Sequence, residues 1–339
     1  MKFDDRNMGM DFSQSATRKH RRLLAALLVI GAGMLALAAL VCQPLVTAVP
    51  STPPAVDPAR LEAHVKKLSI DFYPRSFEQR PKLERTAAYI AEQFKEAGAQ
   101  VSMQDVVVEA EHYKNVVARF GPESGRLLVI GAHYDSHGAT RGADDNASGI
   151  AGLLELAHLL GRAGPTRPVE LVAYTLEEPP HFRSPHMGSV WHASALKAAG
   201  RDVEMMLSLE MIGYFTDRPG SQAYPLAAMK LAYPDRGNFI ALVGQFGDFG
   251  LSRSVKGVMS GASQLPVYSL NAPSFVQGVD FSDHRSYWAQ GYPALMVTDT
   301  AFMRNPNYHR AGDTFEKIDY QRMAMVVQAV YAVAKRPGT

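Results

Sequence analysis

One stretch of the sequence, residues 127–149, constrains the fold more than any other. It reads LLVIGAHYDSHGATRGADDNASG. Its first four residues predict a buried strand, since a short apolar run that ends in glycine is typical of such strands. His133 and Asp135 follow directly, and a loop with glycine then carries Asp144, Asp145 and Asn146 towards a helical segment. Imidazole and carboxylate groups just beyond a strand are what a metal site in an α/β protein requires.

The rest of the chain continues this order of strand, loop and helix. We expect further strands at residues 169–176, 205–211, 238–243, 265–270 and 294–297, and helices at 150–160, 190–198, 251–259 and 318–334. Upstream, we expect helices at 59–68 and 80–98 and strands at 101–108 and 115–120. This alternation predicts an α/β sandwich with a largely parallel sheet.

The N-terminal part of the chain has a different character. Residues 1–22 are polar and end in the basic block RKHRR, and residues 23–41 are apolar and uncharged, near the length needed to span a bilayer. The basic block predicts that the N-terminal tail is cytoplasmic and that the apolar segment crosses the inner membrane of the cell. The rest of the chain would then face the periplasm or the cell exterior. A signal peptide cleaved near residues 46–48, with release of the protein, is the alternative. Residues 42–56 then form a proline-rich linker to one folded domain at 57–339.

Composition limits which residue types can bind a metal in this chain. The 339 residues carry a net charge of +2, which gives no indication of nucleic-acid binding. Cys42 is the only cysteine, so no intrachain disulfide can form and any metal must be held by His, Asp and Glu. This favours a zinc site of the catalytic kind over a structural thiolate site.

Acidic and imidazole side chains follow successive predicted strands. Because sites in such sheets form beyond the carboxyl ends of the strands, these side chains are expected to meet. Singly, each has an ordinary explanation; Asp145, for example, suits a helix N-cap. Glu210 lies inside an apolar strand, where a carboxylate is costly unless it is paired or bound to a cation. The candidates are His133, Asp135, Asp145, Glu177, Glu178, Glu210, Asp299, His309 and Asp313.

Six ordered motifs carry a family resemblance: GAHYDS, GADDNASG, EEPPHFRSPHMGS, LSLEMIGY, FSDHRSYW and NPNYHRAGDT. Together they resemble the di-zinc aminopeptidase family, which includes bacterial leucyl aminopeptidases and has glutamate carboxypeptidase and glutaminyl cyclase as relatives. The resemblance covers residues 57–335. It implies the zinc-exopeptidase type of fold, a three-layer α/β/α sandwich with a mixed, mostly parallel central sheet.

The resemblance also implies roles for individual residues. Two zinc ions per chain would be bound, one by His133 and Glu210, the other by Glu178 and His309, with Asp145 bridging both. Glu177 resembles the general base, and Asp135 resembles the carboxylate that orients His133. Asp283 and His284 fall in a motif on the substrate side, which we expect to be a loop. The peptide bond after the bridging aspartate, Asp145–Asn146, is commonly cis in the family.

Two departures from the family pattern stand out. Glu210 occupies a position where aspartate is more usual, and Val279 stands where some leucyl aminopeptidases have a tyrosine that polarises the carbonyl. His284 or Tyr268 are candidates to replace that tyrosine. His181 and His186 lie in a predicted loop on the rim of the site, where a third metal is the less favoured reading.

The expected function is a zinc-dependent aminopeptidase that hydrolyses N-terminal peptide bonds of peptide substrates. A glutaminyl cyclase-like acyltransferase with one zinc is an alternative. A carboxypeptidase of the same fold would need an arginine cluster, for which Arg183, Arg253 and Arg285 are scattered candidates. A non-catalytic ectodomain is a further alternative, but such proteins typically lose metal ligands.

Overall fold

The computed structural model describes residues 8–336, with side-chain surroundings from Lys19 onward. In this part of the chain, eight strands form one sheet. The strands are β1 Gln100–Val108, β2 Glu111–Phe120, β3 Leu127–His133, β4 Val169–Tyr174, β5 Val203–Glu210, β6 Ile240–Gly244, β7 Val267–Asn271 and β8 Ala294–Thr298. Each predicted strand is present, with ends displaced by a few residues.

The sheet has the order β1-β2-β4-β3-β5-β8-β6-β7. Strands β3, β4, β5 and β8 are parallel, so their carboxyl ends meet at one edge, here called the site edge. Strands β6 and β7 are parallel to each other, but β6 is antiparallel to β8. The carboxyl ends of β6 and β7 therefore lie at the opposite edge, here called the far edge.

Helices cover both faces of the sheet. They are α1 Met8–Cys42, α2 Pro58–Lys66, α3 Arg80–Glu96, α4 Gly149–Ala163, α5 Gly188–Ala198, α6 Phe249–Ala262, α7 His284–Ala289 and α8 Tyr320–Ala334. Helices α2, α3, α4, α6 and α8 share the large hydrophobic core on one face, whereas α5 and α7 pack on the other. The predicted three-layer sandwich with a mixed, mostly parallel sheet is confirmed.

One local prediction was wrong. Asp283 and His284 were expected in a loop, but His284 is the first residue of the short helix α7, with Asp283 just before it as the N-cap. Six residues are too few to show a helical period in a sequence, particularly when they follow a loop rich in polar groups.

The N-terminal helix is the one segment in the described chain that is long and apolar enough to cross a membrane, over Lys19–Cys42 with a mean hydropathy of 2.6. Helix α1 begins at Met8, earlier than the apolar segment alone predicts. The following linker is not a free spacer. The Val49 N–H donates to Gly257 at 2.8 Å, and the Ser51 N–H donates to Gly261 at 3.0 Å.

Helix α2 follows the linker directly. The Asp57 carboxylate accepts the N–H of Ala59 at 2.9 Å, and Pro58 occupies the first helical position, where its missing N–H costs no hydrogen bond. Val56, just before this cap, is already buried in the core. The domain and the end of the linker are therefore packed together.

Candidate active site at the sheet edge

The loop after β3 is shaped to aim one carboxylate. Gly142 has a left-handed φ of 55°, and a Cβ there would meet the Asp145 carbonyl oxygen at 2.3 Å, so only glycine fits. The Asp145–Asn146 bond is cis, as the resemblance implies. The Asn146 side chain donates to the Leu209 carbonyl at 2.8 Å and accepts the Met211 N–H at 3.1 Å. These contacts fix the loop against the end of β5.

A second carboxylate supports the loop from the other side. The two oxygens of Asp313 accept the N–H groups of Asp144 at 2.9 Å and Asp145 at 3.1 Å. Arg75, fully buried, donates to the carbonyls of Gly142 at 2.8 Å and Tyr134 at 2.9 Å. The backbone on both sides of Asp145 is thus held before any ligand binds.

The first group of candidate ligands lies at the ends of β3 and β5. The His133 Nε2 lies 3.4 Å from an Asp145 oxygen and 3.4 Å from a Glu210 oxygen. All three side chains are buried, and their donor atoms lie within 4.8 Å of one another. The Ser282 hydroxyl donates to Glu210 at 2.7 Å, which fixes the orientation of this longer carboxylate.

The second group shares Asp145. The His309 Nε2 lies 3.1 Å from the other Asp145 oxygen and 3.2 Å from a Glu178 oxygen. The His309 ring is stacked between Tyr308, with centroids 3.8 Å apart, and His137 at 4.0 Å. The two groups therefore meet at one carboxylate, the arrangement that a bridging ligand requires.

Glu177 lies beside the first group, and Asp135 lies beneath both glutamates. A Glu177 oxygen is 3.8 Å from the His133 Nε2. The Asp135 carboxylate accepts the N–H groups of Glu177 at 3.1 Å and Glu178 at 2.9 Å. The His133 Nδ1 lies closer to the Asp135 backbone carbonyl, at 3.2 Å, than to its carboxylate, at 3.6 Å. Asp135 thus holds the Glu177–Glu178 backbone in addition to contacting His133.

Burial and like charges perturb the titration of these groups. Burial, together with the charges of Glu210 and Glu178, raises the pKa of Glu177 well above its usual value, against the opposing effect of His133. Burial and the Asp145 charge raise the pKa of Glu178 to about 8. Burial alone would raise the pKa of Asp145, but hydrogen bonding to the two histidines lowers it. Several buried carboxylates thus compete for two imidazoles as counter-charges.

The nitrogen and oxygen atoms of the two candidate ligand groups are better suited to binding a metal ion than to hydrogen bonding with one another. The buried His133 Nε2 and the buried Glu178 Oε1 have no hydrogen-bond partner within residues 19–336. An unpaired polar atom in the interior is costly, and the His133 Nε2 lies 3.4 Å from oxygens of both Asp145 and Glu210. Two imidazoles and three carboxylates are a donor set typical of catalytic zinc sites.

Asp283 and His284 lie in the interior, at the start of α7. Both are fully buried, and the His284 Nε2 lies 2.8 Å from the Val279 carbonyl. Burial lowers the pKa of His284 to about 4, so the ring is neutral at physiological pH. Neither residue lines the cavity beside Glu210, which Val279 and Phe281 border instead. The predicted contact of this pair with substrate stays a prediction.

That cavity is apolar and lies between the site edge and the segment after β5. Its position matters because one wall is Glu210, a candidate ligand. Most of its other walls are aromatic or aliphatic, and Val279 and Tyr268, the residues singled out from the sequence, both line it. Further lining residues include Met229, Tyr233, Phe239, Met296 and Phe302.

Beside the segment that follows Glu178, two arginines meet at one aspartate. Arg183 lies 2.5 Å from Asp280, and Arg285 lies 3.6 Å from its other oxygen. The expectation that Arg183 and Arg285 are scattered was wrong, although Arg253 lies apart on the exposed surface of α6. His181 and His186 face each other at 5.7 Å, but the described residues give them no third ligand.

Sequence reasoning missed several supporting residues. Arg75 lies in a segment with no local pattern, and its function depends on backbone carbonyls that only the fold brings together. His137 was given no role, yet it stacks on His309. The indication in the sequence that His137 belongs to the site was its position four residues after His133. Asn305, which donates to Asp144 at 2.8 Å, carried no signal beyond its motif.

Comparison with known proteins identifies relatives over most of the chain. The model of "Peptidase family M28" matches residues 115–334. Uncharacterized protein YfbL of Escherichia coli (strain K12) is 51% identical over 296 residues, which cover 85% of this chain and 91% of that protein. A probable leucine aminopeptidase of Trichophyton verrucosum is 29% identical over 271 residues, covering 75% of this chain but only 66% of the fungal protein.

Solved structures share the fold. The glutaminyl cyclase of Bacteroides thetaiotaomicron superposes with a TM-score of 0.65 and 17% identity, covering 84% of this chain and 100% of the cyclase. At this level of identity the superposition shows the architecture alone, so the reaction has to be inferred from the site.

Proposed function

This chain belongs to peptidase family M28, and from that premise we propose that it is a zinc-dependent aminopeptidase that removes apolar residues from the N-termini of peptides. The observation that carries the proposal is the pair of ligand groups that share Asp145. The apolar cavity with Glu210 in its wall supports the choice of substrate.

Two zinc ions would be held by the two groups. His133 and Glu210 would bind one ion, Glu178 and His309 would bind the other, and Asp145 would bridge them. The unpaired buried atoms of His133 and Glu178 support this assignment. When bound, such ions supply Lewis acidity, which polarises the scissile carbonyl and lowers the pKa of a water molecule.

Glu177 would act as the general base. It would take a proton from the attacking water as the new C–O bond forms, and then give that proton to the leaving amine nitrogen as the C–N bond breaks. The raised pKa of Glu177 suits both steps, because it makes the carboxylate a stronger base than an ordinary glutamate. Asp135 would keep Glu177 in place through the hydrogen bond to its backbone N–H.

The substrate's N-terminal side chain would occupy the apolar cavity. Glu210 and the other carboxylates would favour the positive charge of a free α-amino group at its mouth. The cavity walls offer aromatic and aliphatic carbon and few polar groups. We therefore expect leucine-, methionine- or phenylalanine-like N-terminal residues to be preferred over charged ones.

The test is a panel of matched peptides given to the full chain loaded with zinc. Leu-Ala-Ala-Phe with a free N-terminus should release leucine, while its N-acetylated form should be inert. Lys- and Asp-initiated versions should be cleaved more slowly. Cleavage of the acetylated peptide at an internal bond would overturn the aminopeptidase assignment.

The paired arginines favour one second candidate. A carboxypeptidase or dipeptidase must bind a C-terminal carboxylate, and Arg183 and Arg285 lie together on the rim. Asp280 offsets part of their charge, which makes this the weaker reading. Release of phenylalanine from the C-terminus of acetylated Leu-Ala-Ala-Phe would select it. A cyclase would instead convert a Gln-initiated peptide to pyroglutamate.

We also propose that α1 is an uncleaved membrane anchor. The apolar segment Lys19–Cys42 has none of its apolar window buried against the rest of the described chain. The basic block at residues 18–22 supports an orientation with the N-terminus in the cytoplasm and the peptidase domain outside it. Retention of the full-length chain in the membrane fraction after a high-salt wash tests this. A processed chain in the soluble fraction would contradict it.

A further inference from the structure

The last turn of α1 is bound by polar side chains of the peptidase domain. Asn271 Nδ2 donates to the Leu40 carbonyl at 3.3 Å, and the Ser269 hydroxyl donates to the Cys42 carbonyl at 3.1 Å. The Lys256 ammonium donates to Cys42 at 3.2 Å and to Gln43 at 2.8 Å. Carbonyls at a helix C-terminus lack intrahelical partners, and a cation there is favourable. The domain thus caps this helix specifically.

These contacts also show in which direction α1 leaves the peptidase domain. Asn271 is the last residue of β7, at the far edge, whereas Ser269 lies two residues earlier on the same strand. Leu40 therefore lies nearer the far edge than Cys42 does. Followed backwards from Cys42, α1 leaves the domain at the far edge, away from the candidate active site.

The linker continues along the same path. It follows α6, contacting Gly257 through Val49 and Gly261 through Ser51. A Cβ on Gly261 would lie 1.8 Å from the Val49 carbonyl oxygen, so the close approach requires glycine. Helix and linker together form one continuous contact with α6 and β7, which fixes the domain relative to the helix.

Two exposed aromatic side chains lie where α1 leaves the domain. Phe246 and Phe249 are 47% and 49% exposed, and the Phe249 carbonyl accepts a hydrogen bond from the Gln43 side chain. Between them, Asp248 accepts the Trp288 indole N–H at 3.0 Å, and the same N–H donates to Ala294, the first residue of β8. Both phenylalanines are therefore at the far edge. Phe side chains, like those of Trp and Leu, are typical of protein surfaces that bury into the boundary between lipid headgroups and acyl chains.

We propose that the far edge is a membrane-contact surface, in which Phe246 and Phe249 enter the bilayer interface beside α1 and hold the site edge facing away from the membrane. The occupant is the lipid surface itself, since the surface is continuous with the helix exit. This inference rests on the proposed membrane anchor and is independent of the peptidase chemistry. It implies that substrates arrive from the aqueous phase.

The test uses the full chain in nanodiscs of phosphatidylethanolamine and phosphatidylglycerol that contain a photoactivatable phospholipid. After illumination, mass spectrometry of the digested chain should find lipid adducts on residues 23–41 and on residues 246–249. Residues 181–186, on the rim of the candidate active site, should carry none. The double variant Phe246→Ser/Phe249→Ser should lose the adducts at 246–249 and retain those at 23–41.

Ile70→Ser is the matched control, because Ile70 is 42% exposed and follows Ser69, whose carbonyl accepts a hydrogen bond from Arg141 in the loop of the candidate active site. It should leave the adduct pattern unchanged. Adducts on 23–41 without any on 246–249, or adducts on 181–186, would overturn the membrane-contact surface while leaving the anchor intact. Absence of adducts on 23–41 would overturn both. Peptide hydrolysis by the same samples reports separately on the proposed function.

Discussion

The two candidate ligand groups share Asp145 but are built differently. In the first, His133 ends β3 and Glu210 ends β5, so neighbouring strands fix both side chains. In the second, His309 belongs to the segment between β8 and α8, and its side chain is 24% exposed. The first group is preorganised by the sheet, whereas the second depends on a loop held by Asp313 and by ring stacking.

This difference predicts unequal metal positions. A ligand set fixed by strands loses little conformational freedom on binding, so its affinity is higher. An exposed ligand on a loop exchanges with solvent more readily. We expect the His133 position to bind zinc more tightly than the His309 position, with both needed for full activity.

The largest effect is expected from removing either histidine. His133→Ala and His309→Ala should each lower kcat/KM about 10³-fold or more, because each removes one Lewis acid whose contribution is several kcal/mol. Zinc content should separate them: His309→Ala should retain about one zinc, at the strand-built position. If His309→Ala binds none while His133→Ala keeps one, the order of the two positions is reversed.

Glu177→Gln should come next. Loss of the base should lower kcat by about 10²–10⁴-fold, the range typical of general acid–base catalysis. Both zinc ions should remain, since Glu177 belongs to neither ligand group. Glu123→Gln, an exposed substitution, is the matched control. Activity of Glu177→Gln within a few-fold of the parent would remove Glu177 from the assigned role.

Asp135→Asn should have a smaller effect. It weakens the support of the Glu177–Glu178 backbone and the contact with His133. Changes of this type typically cost about 10–100-fold in metal affinity or activity. A pH–rate profile distinguishes this role from a general loss of folding, because a misplaced Glu177 should displace the acidic limb. An unchanged profile with a uniformly lower rate would show that Asp135 acts only on folding.

The smallest effect concerns stability in the absence of metal. The pKa of Glu178 is raised from 4.5 to about 8, and that of His309 is raised to about 10, so the folded chain binds more protons than the unfolded chain in this range. For Glu178 this contribution to stability is lost as pH rises from 4.5 through about 8, and for His309 it is lost as pH rises from 6.5 through about 10. The metal-free Tm should fall between pH 5 and pH 8, and the increase on adding zinc should widen. A zinc-induced increase in Tm that is the same at both pH values would contradict this.

Features that depend on residues adjacent in sequence could be predicted. Contacts between segments that are far apart in sequence could be predicted less well. His133 was predictable because it directly follows an apolar run, and Glu210 was predictable because it is a carboxylate inside an apolar strand. The reversed direction of β6 and β7 was not visible, since alternation of side chains sets which face is buried and not which way a strand runs. Arg75 and the capping of α1 by Lys256 depend on contacts between segments far apart in sequence, which carry no local pattern.

We expect two metal ions at unequal positions to support hydrolysis, and a zinc titration of metal-free protein measures this directly. Release of leucine from Leu-Ala-Ala-Phe should be followed as zinc is added to the full chain. Activity should rise little with the first equivalent, which fills the strand-built position, and reach its plateau at the second. A plateau at one equivalent, with a second ion adding nothing, would contradict the shared site at Asp145.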